Sequence, residues 1–280
     1  MQAFVLDATF LSSMLYRKST LGILLVLIFL SFFGTLTLTA SMFPQNYDWR
    51  YRVISNLLSP RDNPDWYWIA AVGLGLSGVL MLPFAGYLGH SLGMVAPRMA
   101  KVTAAAFVLG IITLICACVV FPQHTHATLG IQRLHEFLGH SSAGFFAFGM
   151  LCGCWCASKV RTQNSAAAWL FWSWLLLTAG PLIGLFCSET LLLLTKLEPS
   201  WAEPIRHTLR HSVFWHLGYW EWTGATGIFL FLCAAVFFTP AQSSRNGVLA
   251  HRGLTGSRRD PKQSNIPHST IRSIAPSGLQ

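Results

Sequence analysis

Six long apolar stretches constrain the fold of this chain more than any other feature of its sequence. The first, from Thr20 to Phe43, has no charged residue, and its 24 or so positions are enough for a helix to cross a hydrocarbon core roughly 30 Å thick. Five more stretches of similar character cover approximately residues 66–88, 102–121, 136–158, 166–190 and 217–238. The sequence therefore predicts an all-α fold, a polytopic membrane bundle of about six transmembrane helices within residues 20–238.

Small residues and one basic segment predict how these helices meet. Gly73 and Ser77 stand four apart in the second stretch, and Gly149 and Gly153 do so in the fourth. This spacing permits close contact between helices. Residues 91–101 are predicted to form a short basic connection between the second and third helices.

The composition agrees with a bilayer as the surroundings of the chain. Hydrophobic residues make up 53% of it and charged residues only 10%, whereas about a quarter of a soluble domain is charged. The net charge of +9 would suggest nucleic-acid binding in a soluble protein. Basic residues held on one side of a membrane explain the same charge, so we expect no nucleic-acid partner.

The basic residues predict the orientation. An even number of spans puts both termini on one side, and twelve of the 19 Lys and Arg residues fall on that side. The positive-inside rule then predicts a protein integral to the cytoplasmic (plasma or inner) membrane with both termini cytoplasmic. Residues 1–19 form a cytoplasmic N-terminal segment in this interpretation. Residues 239–280 form a basic tail, predicted to be disordered because Ser, Arg, Pro and Gly cannot bury a core.

The other titratable residues concentrate on the opposite, extracytoplasmic side. Eight of the ten acids and seven of the ten histidines fall in the segments or helix ends predicted there, most densely in residues 206–222. Charged groups near a bilayer are retained when they pair or line a wet cavity. This face is therefore the predicted working face. The alternative is that these loops are simply longer and more polar.

The segment His135-Glu-Phe-Leu-Gly-His140 resembles a zinc-protease helix but fails its spacing. That motif needs two histidines at i and i+4 on one helical face, and here they are five apart. Glu136 and His140 do stand at i, i+4, which suits a local ion pair. A zinc protease is therefore excluded, and the local pair remains the alternative to a ligand role for these two residues.

His207 and His211 stand at i, i+4 and could hold a metal together. Arg210 lies beside them and disfavours a divalent cation. Glu221, near the start of the last predicted helix, is explained equally by the helix dipole, which stabilises a carboxylate at a helix N-terminus.

Anion binding is the other physical option for the extracytoplasmic face. The second, fourth and sixth helices all begin there, and helix N-termini attract anions. Arginines on the same side match phosphate geometry, so a lipid headgroup is a natural ligand. We expect the helix mouths to converge on one pocket. The candidate ligand-binding residues are Arg50, Arg52, Glu136, His140, His211, His216 and Glu221.

Several short motifs carry a family resemblance over about residues 20–238. They are Tyr51-Arg-Val-Ile-Ser-Asn-Leu57, Phe121-Pro122, Leu134-His135 with Gly139 and Ser142-Ala143, and Glu221-Trp222. Together they resemble a bacterial membrane family, domain of unknown function 998, and the eukaryotic six-helix Frag/DRAM/Sfk proteins. The resemblance implies a role with membrane lipids. The long first loop and the additional histidines at 207, 211 and 216 depart from the pattern.

A second resemblance supplies an alternative function. The chain is similar to the membrane metal-hydrolase superfamily of ceramidases and adiponectin-type receptors, whose members combine three histidines with a serine and an aspartate. The resemblance implies a zinc site formed by His140, His207 and His211. Those proteins have about seven helices, one more than we predict here.

Three functions therefore remain open from the sequence. The first is a protein that binds or handles lipid headgroups, with membrane lipids as partners and no cofactor. The second is a metal-dependent membrane lipid hydrolase, with zinc as the cofactor. The third is a structural subunit of a larger assembly, with a membrane protein as partner. The sequence assigns no catalytic residue and does not decide whether the chain is an enzyme.

Overall fold

A computed structural model describes residues 15–120, 129–196, 204, 207–208 and 211–239, and within these ranges the regular elements are helices. A single-turn 3-10 helix, Val213–Trp215, precedes the last of them. The helices are α1 (Lys18–Ser41), α2 (Ile54–Leu58), α3 (Tyr67–Gly93), α4 (Pro97–Val119), α5 (Leu129–Ser158), α6 (Ser165–Lys196) and α7 (Leu217–Phe238).

The predicted fold class is confirmed. Every helix except α2 contains a span that is long and apolar enough to cross a membrane, which gives six candidate spans in the described part of the chain and supports a membrane location. The side on which the termini lie stays a prediction. The predicted tail and the Phe121-Pro122 motif lie outside the described residues.

The predicted basic connection over residues 91–101 was wrong. Helix α3 continues to Gly93 and α4 begins at Pro97, so only residues 94–96 join them. Proline is favoured at the first position of a helix, because that residue needs no intrahelical N–H bond. Arg98 and Lys101 therefore lie on the first turns of α4, where sequence polarity alone suggested a loop.

Helix α1 contains a π-helical turn, Leu30–Gly34, in the middle of its span. Directly after it, the Thr35 hydroxyl donates to the Ser31 carbonyl at 2.6 Å. Gly73 of α3 faces this threonine so closely that a Cβ at position 73 would overlap the Thr35 side chain. The predicted role of Gly73 in close helix contact is thereby confirmed.

Replacement of Gly73 by alanine is expected to destabilise the bundle. The added methyl group has to displace the Thr35 side chain, and overpacking of this kind costs about 1–2 kcal/mol. Thermal denaturation in detergent, followed by fluorescence-detected size exclusion, measures the effect. Gly75→Ala is the matched control, because a Cβ there meets nothing within 4 Å. Equal shifts for both variants would contradict the described α1–α3 contact.

The centre of the bundle is built on stacked aromatic rings. The Trp174 indole of α6 stacks on the Phe231 ring of α7 with centroids 4.2 Å apart, and its Nε1–H donates to the Phe231 carbonyl at 3.0 Å. Phe107 of α4 also stacks on Phe231, with centroids 5.6 Å apart. Gly149 and Gly153 of α5 face Phe107 and Phe231 respectively. The predicted packing role of this Gly-x-x-x-Gly pair is confirmed.

His135 joins α5 to α4. Its ring is buried, and its Nδ1 lies 3.0 Å from the Ala117 carbonyl and 2.9 Å from the Val120 carbonyl. Because two carbonyl acceptors need a donor, this nitrogen carries the proton. The last carbonyls of a helix have no intrahelical partner, so His135 satisfies the end of α4.

Helix α7 lies between α1 and α6, and it packs against both. Trp220 of α7 sits over Gly184 of α6, and Phe229 of α7 meets Phe33 of α1 edge-on at 5.9 Å. This arrangement makes α7 the floor between two flanking helices. Its first turns lie at the end of the bundle that carries residues 42–66, which we call the first loop.

Candidate functional site

The first loop packs onto the bundle through a short helix that the sequence interpretation missed. Ile54, Leu57 and Leu58 of α2 are buried in a cluster with Leu36 of α1 and with residues of the first turns of α3. The apolar positions 54, 57 and 58 follow the i, i+3, i+4 pattern of a helix face. That pattern was the available signal, although five residues are too few for it to be decisive.

Glu221 connects α7 to this loop. Its Oε2 atom accepts a hydrogen bond from the backbone N–H of Ile54 at 2.7 Å. The first N–H groups of a helix lack intrahelical partners and carry partial positive charge. The dipole explanation for Glu221 therefore applies to a different helix from the one expected. The carboxylate interacts with the N-terminus of α2, 167 residues away in sequence.

A second connection runs through Tyr47. The Trp222 Nε1–H donates to the Tyr47 hydroxyl at 3.2 Å, and that hydroxyl donates to the Arg52 carbonyl at 3.0 Å. Burial raises the pKa of Tyr47 well above its ordinary value, because an ionised phenolate would lose its hydration. Tyr47 is therefore a neutral donor that links α7 to the loop backbone.

The loop backbone itself approaches α7 at Gly218. A Cβ at this position would lie 2.5 Å from the Arg52 carbonyl oxygen and 2.8 Å from its carbonyl carbon. Glycine is the residue that permits such a close approach of two backbones. Gly218, Glu221 and Trp222 thus place one turn of α7 directly against residues 47–54.

The two predicted loop arginines have different surroundings. Arg50 makes a two-point contact with Asp48, with both N···O distances 3.0 Å, and this pair holds the pKa of the Asp48 carboxyl below its usual range. Arg52 donates to the Gln45 side chain at 3.0 Å and lies over the Phe43 ring at 4.8 Å. The guanidinium group of Arg50 is therefore occupied by Asp48, whereas that of Arg52 gives one N–H group to Gln45.

Two histidines lie near Glu221. The His216 ring meets the Tyr51 ring edge-on with centroids 4.5 Å apart, and its buried Nε2 has no hydrogen-bond partner among the residues that the structure describes. His140 of α5 interacts electrostatically with the Glu221 carboxylate. Its Nδ1 also lies 2.6 Å from the Glu136 carbonyl of its own helix. Arg52, His140, His216 and Glu221 therefore belong to one neighbourhood.

The remaining predicted residues have other surroundings. Glu136 is exposed on α5 and contacts His140 through its backbone carbonyl, and His207 and His211 are exposed with their rings 5.2 Å apart. Within the described residues, no group of three or more His, Cys, Asp or Glu side chains is arranged to hold a metal ion. Much of residues 197–210 lies outside the described ranges. The zinc site at His140, His207 and His211 therefore stays a prediction, as does the full convergence on one pocket.

An open groove of about 650 Å³ runs along α7 from the first loop toward the middle of the bundle. Its walls are α1 and α6, its floor is α7, and Tyr47 and Trp49 of the first loop stand at its polar end. The sequence interpretation missed the groove, since pairing of distant helices leaves no local signal. It is lined by Phe33, Thr37, Ala40, Tyr47, Trp49, Leu176, Leu177, Pro181, Trp222, Thr223, Thr226, Gly227 and Leu230.

The fold and the groove define the chain as a polytopic helical protein with a ligand-sized groove open at its side. Comparisons with family models, with curated proteins and with solved structures give no match. The family resemblances therefore stay predictions.

Proposed function

We propose that this protein binds a membrane phospholipid, with one acyl chain in the groove and the headgroup at the first loop. The observation that carries the proposal is the groove itself. Its volume of about 650 Å³ lies within the roughly 300–1,000 Å³ of small-molecule sites. It opens at the side of helices that are apolar enough to span a membrane, where an acyl chain can enter from the bilayer.

The chemistry of the lining gives the lipid a direction. Phe33, Leu176, Leu177 and Leu230 offer apolar walls along the length of the groove. Trp49 is half exposed at its loop end, and aromatic rings with a polar edge prefer the level of lipid headgroups. An acyl chain therefore lies along α7 with its ester and phosphate groups beside the first loop.

Arg52 is the residue best suited to the phosphate. Its backbone carbonyl accepts a hydrogen bond from the hydroxyl of Tyr47, which lines the groove. The guanidinium group has five N–H donors and gives one of them to Gln45. The others are available to phosphate oxygens, for which the planar guanidinium is a good match.

Filling the groove is expected to prevent lipid binding. Thr37 is exposed and lines the groove on α1, so Thr37→Trp introduces a ring where the acyl chain would lie. A phospholipid carrying a diazirine in its acyl chain is photo-crosslinked to the protein in nanodiscs, and peptides of α1, α6 and α7 are mapped by mass spectrometry. We expect crosslinking to the groove peptides to fall about tenfold, which corresponds to about 1.4 kcal/mol of lost binding.

Leu38→Trp is the matched control. Leu38 is the next residue of α1 and is 44% exposed, but it does not line the groove, so groove crosslinking should persist. Equal crosslinking in wild type and Thr37→Trp would show that only the ordinary lipid layer had been labelled, and the proposal would be wrong. Arg52→Gln tests the headgroup, because it should weaken capture of the phospholipid and leave that of a diacylglycerol probe unchanged.

A further inference from the structure

Residues 216–222 contact both the first loop and the groove. Glu221 accepts from the loop N–H of Ile54, and the next residue, Trp222, both donates to Tyr47 and lines the groove. Tyr47 lines the groove as well. One helical turn therefore determines where the polar end of the groove lies relative to its apolar floor.

The Glu221 contact differs from the others in its geometry. It is short, with 2.7 Å between Oε2 and the Ile54 nitrogen, against 3.2 Å from Trp222 to Tyr47 and a contact between rings from Tyr51 to His216. It also ends on the first N–H of α2, which has no intrahelical partner, and Ile54 is buried. A buried donor that loses its acceptor bears the full cost of its desolvation. Loss of this bond should therefore release the loop more than loss of either other contact.

We propose that Glu221 is the positioning residue for the lipid site, because its carboxylate holds the first loop at the polar end of the groove. This inference rests on the proposed lipid binding, since it states how that site is assembled. Glu221 need not touch the lipid. It acts through α2, which fixes the backbone of residues 47–54 and with it Tyr47, Trp49 and the Arg52 guanidinium.

The groups beside Glu221 come from two elements besides its own helix. Ile54 of the first loop donates to it, and His140 of α5 lies within electrostatic reach of it. Because the first loop, α5 and α7 meet here, Glu221 is a junction between the loop and two helices. An apolar side chain at 221 removes the acceptor from the loop N–H.

The test is amide hydrogen exchange of the full-length protein in nanodiscs, read for peptides within residues 47–58. Glu221→Gln keeps an oxygen acceptor, and Glu221→Leu removes it. We expect exchange of these peptides to rise at most a few-fold in Glu221→Gln, which can still accept from the Ile54 N–H, and at least about tenfold in Glu221→Leu, which leaves that buried N–H without its acceptor. Exchange of α4 peptides, 97–119, should stay unchanged and reports that each variant is folded.

Asp65→Asn and Asp65→Leu are matched controls, because Asp65 is an exposed acid of the same loop and, in the described part of the chain, accepts a hydrogen bond only through its backbone carbonyl. Their exchange over 47–58 should equal that of wild type. If the side chain at 221 served only as packing in an apolar setting, leucine would protect the loop at least as well as glutamine. That order, or exchange in Glu221→Leu within about twofold of wild type, would overturn the inference.

The lipid crosslinking assay separates failure of this inference from failure of the lipid function. Faster exchange together with reduced crosslinking in the Glu221 variants supports the inference. Faster exchange with unchanged crosslinking overturns it, because the loop then moves without affecting the site. If the wild type shows no groove crosslinking, the lipid function is wrong and the site that Glu221 was inferred to assemble does not exist. The exchange series then still measures how firmly Glu221 holds the loop.

Discussion

Replacement of Trp174 by alanine should destabilise this protein strongly, and by more than any of the glycine substitutions. The side chain is fully buried, stacks on Phe231 and donates to its carbonyl. Truncation of a buried tryptophan costs about 3–5 kcal/mol, because the surrounding helices refill the space only partly. In a bilayer the loss arises from packing and hydrogen bonding between helices. Thermal denaturation in detergent should show a midpoint lower by about 10 °C, at roughly 2–4 °C per kcal/mol.

Trp172→Ala is the internal comparison for this prediction. Trp172 lies on the same helix and is 56% exposed, so its removal should shift the midpoint little. Trp174→Phe should fall between the two, since it keeps an aromatic ring against Phe231 but removes the Nε1–H donor. If Trp172→Ala and Trp174→Ala lowered the midpoint equally, the described packing of α6 against α7 would be incorrect.

Gly218→Ala should have the second largest effect, and it should act on the first loop. The new Cβ would meet backbone atoms of Arg52 at 2.5 to 3.1 Å. Backbone atoms cannot rotate away as a side-chain end can, so the cost should be near the upper end of overpacking, about 3 kcal/mol. We expect faster amide exchange over residues 47–58 and weaker lipid crosslinking in the groove.

The control on the same helix is Gly224→Ala, whose Cβ would meet nothing within 4 Å. Alanine has the higher helix propensity by about 1 kcal/mol, so this variant should be as stable as wild type or slightly more so. If Gly218→Ala left the amide-exchange protection of residues 47–58 unchanged, the close approach of α7 and the first loop would be refuted.

The sequence predicted the spans well because a bilayer imposes a length and a composition that can be read locally. Both ends of the last span, 217–238, were predicted correctly. The sequence prediction failed where charged residues lie within a helix. Arg98 and Lys101 suggested a loop, but they occupy the first turns of α4, where charged side chains can reach the interface without breaking the helix.

The candidate site was only partly predictable. Glu221 was identified because a carboxylate beside an apolar run is unusual, and this signal is local. Its partner Ile54 could not have been found, since the bond uses a backbone N–H that every residue except proline possesses. The groove depends on which helices become neighbours, and neither Leu176 nor Thr226 carries a sign in the sequence that it lines the same groove as the other.

The π-helical turn at Leu30–Gly34 has a consequence for how this groove could arise or disappear in evolution. A π turn contains one more residue than the α turn it replaces, so the segment after it is offset by one position, about 100° around the helix axis. Thr37 and Ala40, which line the groove, follow the turn, whereas Leu21 and Leu25, buried in the bundle core, precede it. One codon lost within this stretch would turn the π turn into an ordinary α turn and leave both halves of α1 facing as they do, whereas one codon gained elsewhere between Leu25 and Thr37 would rotate the groove-lining half by about 100° against the buried half and bring other residues to the groove.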